Sequence, residues 1–109
     1  MRIPIIAVSA LILSFPTVAA GQEKRSETKP TIVLVHGAFA ESSSWNSVIL
    51  RLKERGLNVI AAGNPLRGVK SDAATISAVA RSVSGPVVLV GHSYGGPVIT
   101  EAANHATNV

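Results

Sequence analysis

A serine framed by glycines is the feature of this chain that could do chemistry. It lies in Gly91-His92-Ser93-Tyr94-Gly95, a G-x-S-x-G pattern that directly follows the apolar run at residues 87–90. A strand that turns sharply into a helix leaves no room for side chains beside the turn, and the two glycines meet that need. Such a turn exposes the Ser93 Oγ and directs the N–H groups that follow it toward developing negative charge. We therefore predict that Ser93 is a nucleophile.

Glycine-rich turns also bind phosphate groups or simply allow two backbones to pack closely. The two phosphate-binding patterns, G-x-G-x-x-G and G-x-x-x-x-G-K-[ST], are both missing from the sequence. The run after the serine is compatible with a helix, because Pro97 is tolerated in a first helical turn. A strand before the pattern and a helix after it favour the nucleophile over the other two interpretations.

Composition excludes several other kinds of function. The net charge of the 109 residues is only +4, and the basic residues are scattered without interleaved aromatic residues, so we predict no nucleic-acid partner. With no cysteine, the chain has no disulfide and no thiolate nucleophile or metal ligand. The three histidines and six acidic residues form no pattern with metal-ligand spacing. We predict neither a metal nor a cofactor.

The first thirty residues have the composition of a targeting segment and a tether. One basic residue, Arg2, precedes an uncharged apolar stretch, and small residues at 18 and 20 fit a signal-peptide cleavage site. We predict a signal peptide at 1–20 that is cleaved after Ala20, and a secreted or periplasmic protein. Pro4 and Pro16 interrupt the apolar stretch, so no stable membrane anchor is expected after cleavage. The polar residues 21–30 are predicted to form a tether.

Apolar periodicity predicts three strands that alternate with three helices from residue 31 onward. The predicted strands are residues 31–35, 57–62 and 87–90. The first helix has a Trp45, Val48, Ile49, Leu52 stripe with the serines at 42–44 as possible caps and Gly56 at its end. The second is capped by Ser71 or Asp72, and the third runs through residues 98–105. This βαβαβα order predicts one α/β domain with a parallel sheet flanked by helices.

Two segments, TIVLVHGAFAESSSW (31–45) and VVLVGHSYGGPVITEA (87–102), resemble the α/β-hydrolase family, and the resemblance extends over 31–109. It is greatest to the small branch that contains plant methyl esterases and hydroxynitrile lyases. The resemblance implies that the backbone N–H groups of Tyr94 and Ala38 form an oxyanion hole. A serine where related enzymes carry aspartate implies acyl transfer, with a small ester or lactone as the expected substrate. The motif positions that carry the resemblance are His36, Gly37, Gly91, His92, Gly95 and Gly96.

In this family the triad acid and then the histidine follow the nucleophile in the chain. We therefore expect both in sequence beyond Val109, so that residues 31–109 form the amino-terminal portion of a hydrolase that is inactive as a 109-residue chain. Neither His36 nor His92 is well placed to act as base, and His105 is expected at the far end of the last helix. Asp72 is expected at a cap or on an exposed helix face.

A non-catalytic protein is the alternative interpretation. An apolar third strand would have an unpaired edge, and about 79 residues form a marginal core. Such a chain would fold by pairing its edge with another chain or a second copy. The sequence leaves open which substrate is used and whether the reaction is hydrolysis or lyase chemistry.

Overall fold

A computed structural model describes residues 28–109. The predicted signal peptide and most of the predicted tether lie outside that range. Within it, no helix has the length and apolar character that crossing a membrane requires.

Three parallel strands form the sheet, which confirms the predicted α/β architecture. They are β1 (Thr31–Val35), β2 (Asn58–Ala62) and β3 (Val87–Gly91), in the spatial order β2-β1-β3. A short 3-10 helix (Ser42–Trp45) leads into α1 (Asn46–Glu54), and α2 (Val69–Arg81) and α3 (Gly95–Ala103) follow β2 and β3. Val35 pairs with Ala62 on one side and with Gly91 on the other, so the three strands end in line. The loops that follow them therefore meet at one edge of the sheet, where ligands bind in such folds.

The central strand holds the core because it is apolar on both faces. Val33, Leu34 and Val35 are all buried to 1% exposure or less, as expected for a strand inside a parallel sheet. Val33 and Val35 lie in one cluster with Ile76 of α2 and Val98 of α3. These two helices pack against each other over one face of the sheet, and α1 packs along β2.

The first predicted helix differs from the observed one at its start. No serine side chain caps it: the Ser44 Oγ donates to the Glu41 carbonyl and shapes the 3-10 turn instead. The predicted stripe is only partly buried, since Val48 is 38% exposed. The predicted end is confirmed, because Gly56 adopts φ +79° and its N–H donates to the Lys53 carbonyl.

The prediction for Asp72 was wrong. The second helix begins at Val69 with Gly68 as its N-cap, so Asp72 lies inside its first turn and is not the cap residue. The Asp72 side chain is completely buried and not on an exposed face. Ser71 does not cap the helix either: its Oγ donates to the Gly68 carbonyl. The Asp72 carboxylate instead accepts from the Arg67 and Gly68 N–H groups of the preceding loop, in which Leu66 has a left-handed φ of +60°.

Candidate active site

Ser93 lies at the apex of the turn between β3 and α3. It is exposed and adopts φ +54°, a left-handed conformation that costs a non-glycine residue about 1–2 kcal/mol. The turn is closed by two hydrogen bonds, from the Gly95 N–H to the His92 carbonyl and from the Gly96 N–H to the Ser93 carbonyl, both 2.8 Å. Strained backbone of this kind is concentrated at functional sites. The geometry is that of a strand-turn-helix motif that presents one hydroxyl group at the edge of the sheet.

Close backbone contacts explain two of the glycines that frame the serine. A Cβ atom on Gly91 would collide with the backbone of Gly95, and one on Gly95 would collide with the Val35 carbonyl of β1. Gly96 differs from both, because a Cβ there would meet nothing within 4 Å. The spacing of Gly91 and Gly95 is therefore required by packing, whereas the described residues give no steric reason for glycine at position 96.

The loop after β1 lies directly against the serine turn. A Cβ on Gly37 would stand 2.8 Å from the His92 carbonyl oxygen, 3.0 Å from the Ser93 Cβ and 3.5 Å from the Tyr94 nitrogen. Within residues 28–109, the backbone N–H groups of Ala38 and Tyr94 donate to no other backbone group. These distances place the backbone of the loop after β1 beside the Ser93–Tyr94 peptide group.

A cavity of about 330 Å³ is lined in part by Ala38 and Tyr94. Its lining residues come from the loop after β1, from the loop before α2 and from the serine turn: Ala38, Leu66, Arg67, Gly68 and Tyr94. Phe39, beside it in sequence, has φ +61° and a fully exposed ring. In the described part of the chain, Phe39, Leu66 and Ser93 are the only non-glycine residues with positive φ. All three lie at this edge of the sheet.

His36 holds the loop after β1 in place. The imidazole is buried; its Nε2 accepts from the Asn64 backbone N–H at 2.9 Å, and its Nδ1 lies 3.0 Å from the Gly37 carbonyl. The network assigns the tautomer with the proton on Nδ1. The Asn64 side-chain amide also donates to the His36 carbonyl at 3.0 Å. Since the Nε2 lone pair is occupied, His36 positions the loop and is not available as a base.

Sequence reasoning missed the role of Asn64, which was predicted only as part of a turn. Its position two residues after the end of β2, beside the end of β1, is the signal that could have found it. The parallel register places the two loops side by side, and a buried amide there has backbone groups to bind.

Tyr94 and Asp72 form the other polar contact of the site. The Tyr94 hydroxyl donates to the Asp72 Oδ2 at 2.7 Å. Burial acts to raise the pKa of Asp72, but hydrogen bonds from the Tyr94 hydroxyl and from the loop N–H groups outweigh it, so the pKa is lowered from 3.8. The same hydrogen bond to Asp72, with burial, raises the pKa of Tyr94 above 10.0. The proton therefore stays on the phenol and the carboxylate stays charged.

The side chains of His92 and His105 make contacts other than with the serine hydroxyl. The exposed His92 ring stands edge-on to Trp45, with ring centroids 6.5 Å apart. His105 lies beyond the end of α3, where its Nε2 is 3.3 Å from a Glu101 carboxylate oxygen. In the part of the chain that the structure describes, no group of three metal-ligating side chains comes together.

Comparison with known proteins decides the family. The sequence model of the alpha/beta hydrolase family matches residues 32–109, well over half of the chain. The chain belongs to the α/β-hydrolase family. Comparison with curated proteins gave no match.

Among solved structures, a variant of PytH is similar to this α/β-hydrolase chain, with 25% identity and a TM-score of 0.63. PytH described as a pyrethroid hydrolase with BIF gives 26% identity and a TM-score of 0.62. Both alignments cover 74% of this chain and 37% of PytH. An extracellular α/β-hydrolase from a Paenibacillus species, 20% identical over 72% of this chain and 36% of that one, shares the fold with a TM-score of 0.62. The chain thus spans little more than a third of these structures.

Proposed function

We propose that this chain carries the nucleophile and oxyanion hole of a serine hydrolase that acts as an esterase on a small ester or lactone. The observation that carries the proposal is the placement of Ser93. Ser93 is exposed, adopts φ +54° and is packed against by the loop that contains Gly37 and Ala38. The backbone N–H groups of Ala38 and Tyr94 have no backbone acceptor in residues 28–109. The adjoining cavity of about 330 Å³ is the size of a pocket for a small ligand.

The proposed reaction uses these groups in the following order. The Ser93 Oγ attacks the ester carbonyl carbon while a base removes the hydroxyl proton, and the carbonyl oxygen becomes an oxyanion that accepts from the Ala38 and Tyr94 N–H groups. The intermediate collapses to an acyl-Ser93 ester, and the alcohol leaves with the proton that the base returns. Water then attacks the acyl ester by the same route, which releases the carboxylic acid and restores the hydroxyl.

The base and its acid partner are expected from the remainder of the fold. Among the described residues no histidine or carboxylate is hydrogen-bonded to the Ser93 hydroxyl, and the Nε2 of His36 is already engaged by Asn64. The family order places both partners after the nucleophile. We also propose that the protein is exported, because residues 1–20 have the composition of a signal peptide.

A fluorophosphonate probe tests the proposal on protein expressed from the complete native gene. Peptide mass spectrometry should find the label on Ser93, and Ser93→Ala should abolish it together with hydrolysis of a short p-nitrophenyl ester. Ser84→Ala is the matched control, because Ser84 is an exposed serine at the far end of β3 and should leave labelling unchanged. A folded protein that takes no label, or that is labelled equally after Ser93→Ala, would contradict the proposal.

The intact mass of the protein from its native source tests the expected base and acid. A mass well above that of residues 21–109 is expected, with both partners in the additional sequence. A mass that matches residues 21–109 would leave Ser93 without a base, and the hydrolase proposal would then fail.

A further inference from the structure

Asp72 is a buried carboxylate for which the reaction above has no use. Its side chain has no exposed surface, and no cation lies within ion-pair distance of it among residues 28–109. It is satisfied entirely by neutral donors: the Tyr94 hydroxyl at 2.7 Å, the Arg67 N–H at 3.0 and 3.1 Å, and the Gly68 N–H at 3.3 Å. A buried charge is costly unless it is hydrogen-bonded, so the Asp72 carboxylate is retained only because these donors bind it.

Asp72 binds Tyr94 on one side and the loop residues Arg67 and Gly68 on the other, and both lie at the candidate active site. Tyr94 follows the nucleophile and supplies one of the proposed oxyanion N–H groups, while Arg67 and Gly68 lie in the loop that lines the 330 Å³ cavity together with Tyr94. That loop contains Leu66 at φ +60°, a conformation that persists only where the surrounding contacts impose it. One carboxylate thus joins the oxyanion residue to the cavity wall.

We propose that Asp72 is a positioning residue that fixes the direction of the Tyr94 backbone N–H by holding the Tyr94 side chain and the 66–68 loop together. This inference rests on the proposed function for its effect on rate. The Ser93–Tyr94 peptide group lies at a strained turn, and a phenol anchored at its hydroxyl resists the rotation of that peptide. A small misplacement of an oxyanion donor is costly to the transition state and less so to substrate binding.

A role that is only structural makes a different prediction. If Asp72 merely ties the loop to the start of α2, then Tyr94→Phe, which keeps the backbone N–H and the ring, should leave kcat unchanged. If Asp72 acts through the phenol, Asp72→Asn and Tyr94→Phe should each lower kcat by about 10-fold to 100-fold with little change in KM. The double variant should then be about as slow as the slower single variant, because both changes break one bond.

The bond itself has a spectroscopic signature in the ionisation of the Tyr94 phenol. On protein expressed from the complete native gene, the 295 nm titration of wild type minus that of Tyr94→Phe isolates this phenol, which should have a pKa above 10.0, and Asp72→Asn should return the pKa to the ordinary value. Circular dichroism recorded at each pH of the titration verifies that each protein is folded where the phenol ionises. A wild-type phenol that titrates at 10.0, or one that Asp72→Asn does not shift, would overturn the proposal.

The two measurements separate this inference from the proposed function. If no ester is turned over and Ser93 takes no label, the proposed function fails, and the phenol titration alone decides whether Asp72 holds Tyr94. If the enzyme is active and Tyr94→Phe retains the wild-type kcat, the positioning role is refuted while the hydrolase proposal stands.

Discussion

Two neighbouring glycines of α3 provide a sharp test of how the serine turn is built. Gly95→Ala would place a methyl group against the Val35 carbonyl of β1, with the His36 carbonyl oxygen 3.2 Å away. Gly96→Ala places the same methyl group one residue later, where nothing lies within 4 Å. The two variants have the same composition and affect the same helix, so their difference reports the contact with β1.

The magnitude follows from packing and backbone entropy. Overpacking against a backbone that cannot move away costs about 1–3 kcal/mol, and the strand that must yield is the fully buried centre of the sheet. At Gly96 an alanine should instead stabilise the protein by about 0.4–1 kcal/mol, because it restricts the unfolded chain without strain. That entropic gain applies to both variants and cancels in the comparison. We expect the free energies of unfolding to differ by about 1–3 kcal/mol, with Gly95→Ala the less stable.

Urea denaturation measures this difference. Trp45 is the only tryptophan in the sequence and lies beside His92 of the turn, so its fluorescence reports unfolding at the site. With an m-value of about 1 kcal/mol/M, the two midpoints should be separated by about 1–3 M. Midpoints that coincide would show that β1 moves away from the methyl group added at position 95. That result would refute the argument that close packing requires glycine there.

Three further predictions concern the strain, the charge and the loop of the site. Ser93→Gly should raise the free energy of unfolding by about 1 kcal/mol relative to Ser93→Ala, because only glycine adopts φ +54° without strain; equal urea midpoints would contradict this. The lowered pKa of Asp72 contributes stability that is present above pH 3.8 and is lost as pH falls through the pKa of Asp72 in the folded protein. The raised pKa of Tyr94 contributes stability that is present below pH 10.0 and is lost as pH rises through the pKa of Tyr94 in the folded protein. Wild type should therefore lose stability relative to Asp72→Asn at both extremes, and parallel stability profiles from pH 2 to 11 would refute the assignment. Asn64→Ala should cost about 1–3 kcal/mol, since it leaves the buried His36 carbonyl without its donor; a thermal midpoint equal to that of wild type would show that the contact is dispensable.

Much of the fold could be predicted because its strands are apolar on both faces. The runs at 31–35, 57–62 and 87–90 match β1, β2 and β3 to within one residue at each end, and the glycine after α1 ended that helix as expected. Helix starts were less predictable. Capping rules assign a polar residue just before an apolar stripe as the N-cap, whereas α2 begins at Val69 with Gly68 as its N-cap and no side-chain cap hydrogen bond.

The candidate site, like the fold, could be predicted only in part. Gly91 and Gly95 could be assigned from their spacing alone, because the sharp turn around Ser93 is a local feature. Asp72 was predicted at a helix cap or on an exposed helix face and is buried, since its donors come from Tyr94, 22 residues later in the chain, and from a loop whose conformation is irregular.

The sequence by itself determined the alternation of strands and helices and the position of the serine turn, because both depend on periodicity and on glycine sterics over a few neighbouring residues. Only the tertiary structure decided which polar groups support that turn. His36 with Asn64, and Tyr94 with Asp72, meet through parallel strand pairing and helix packing between residues more than 20 positions apart. A buried polar group takes whichever partner the completed fold places within reach, and that choice is not encoded in any local pattern.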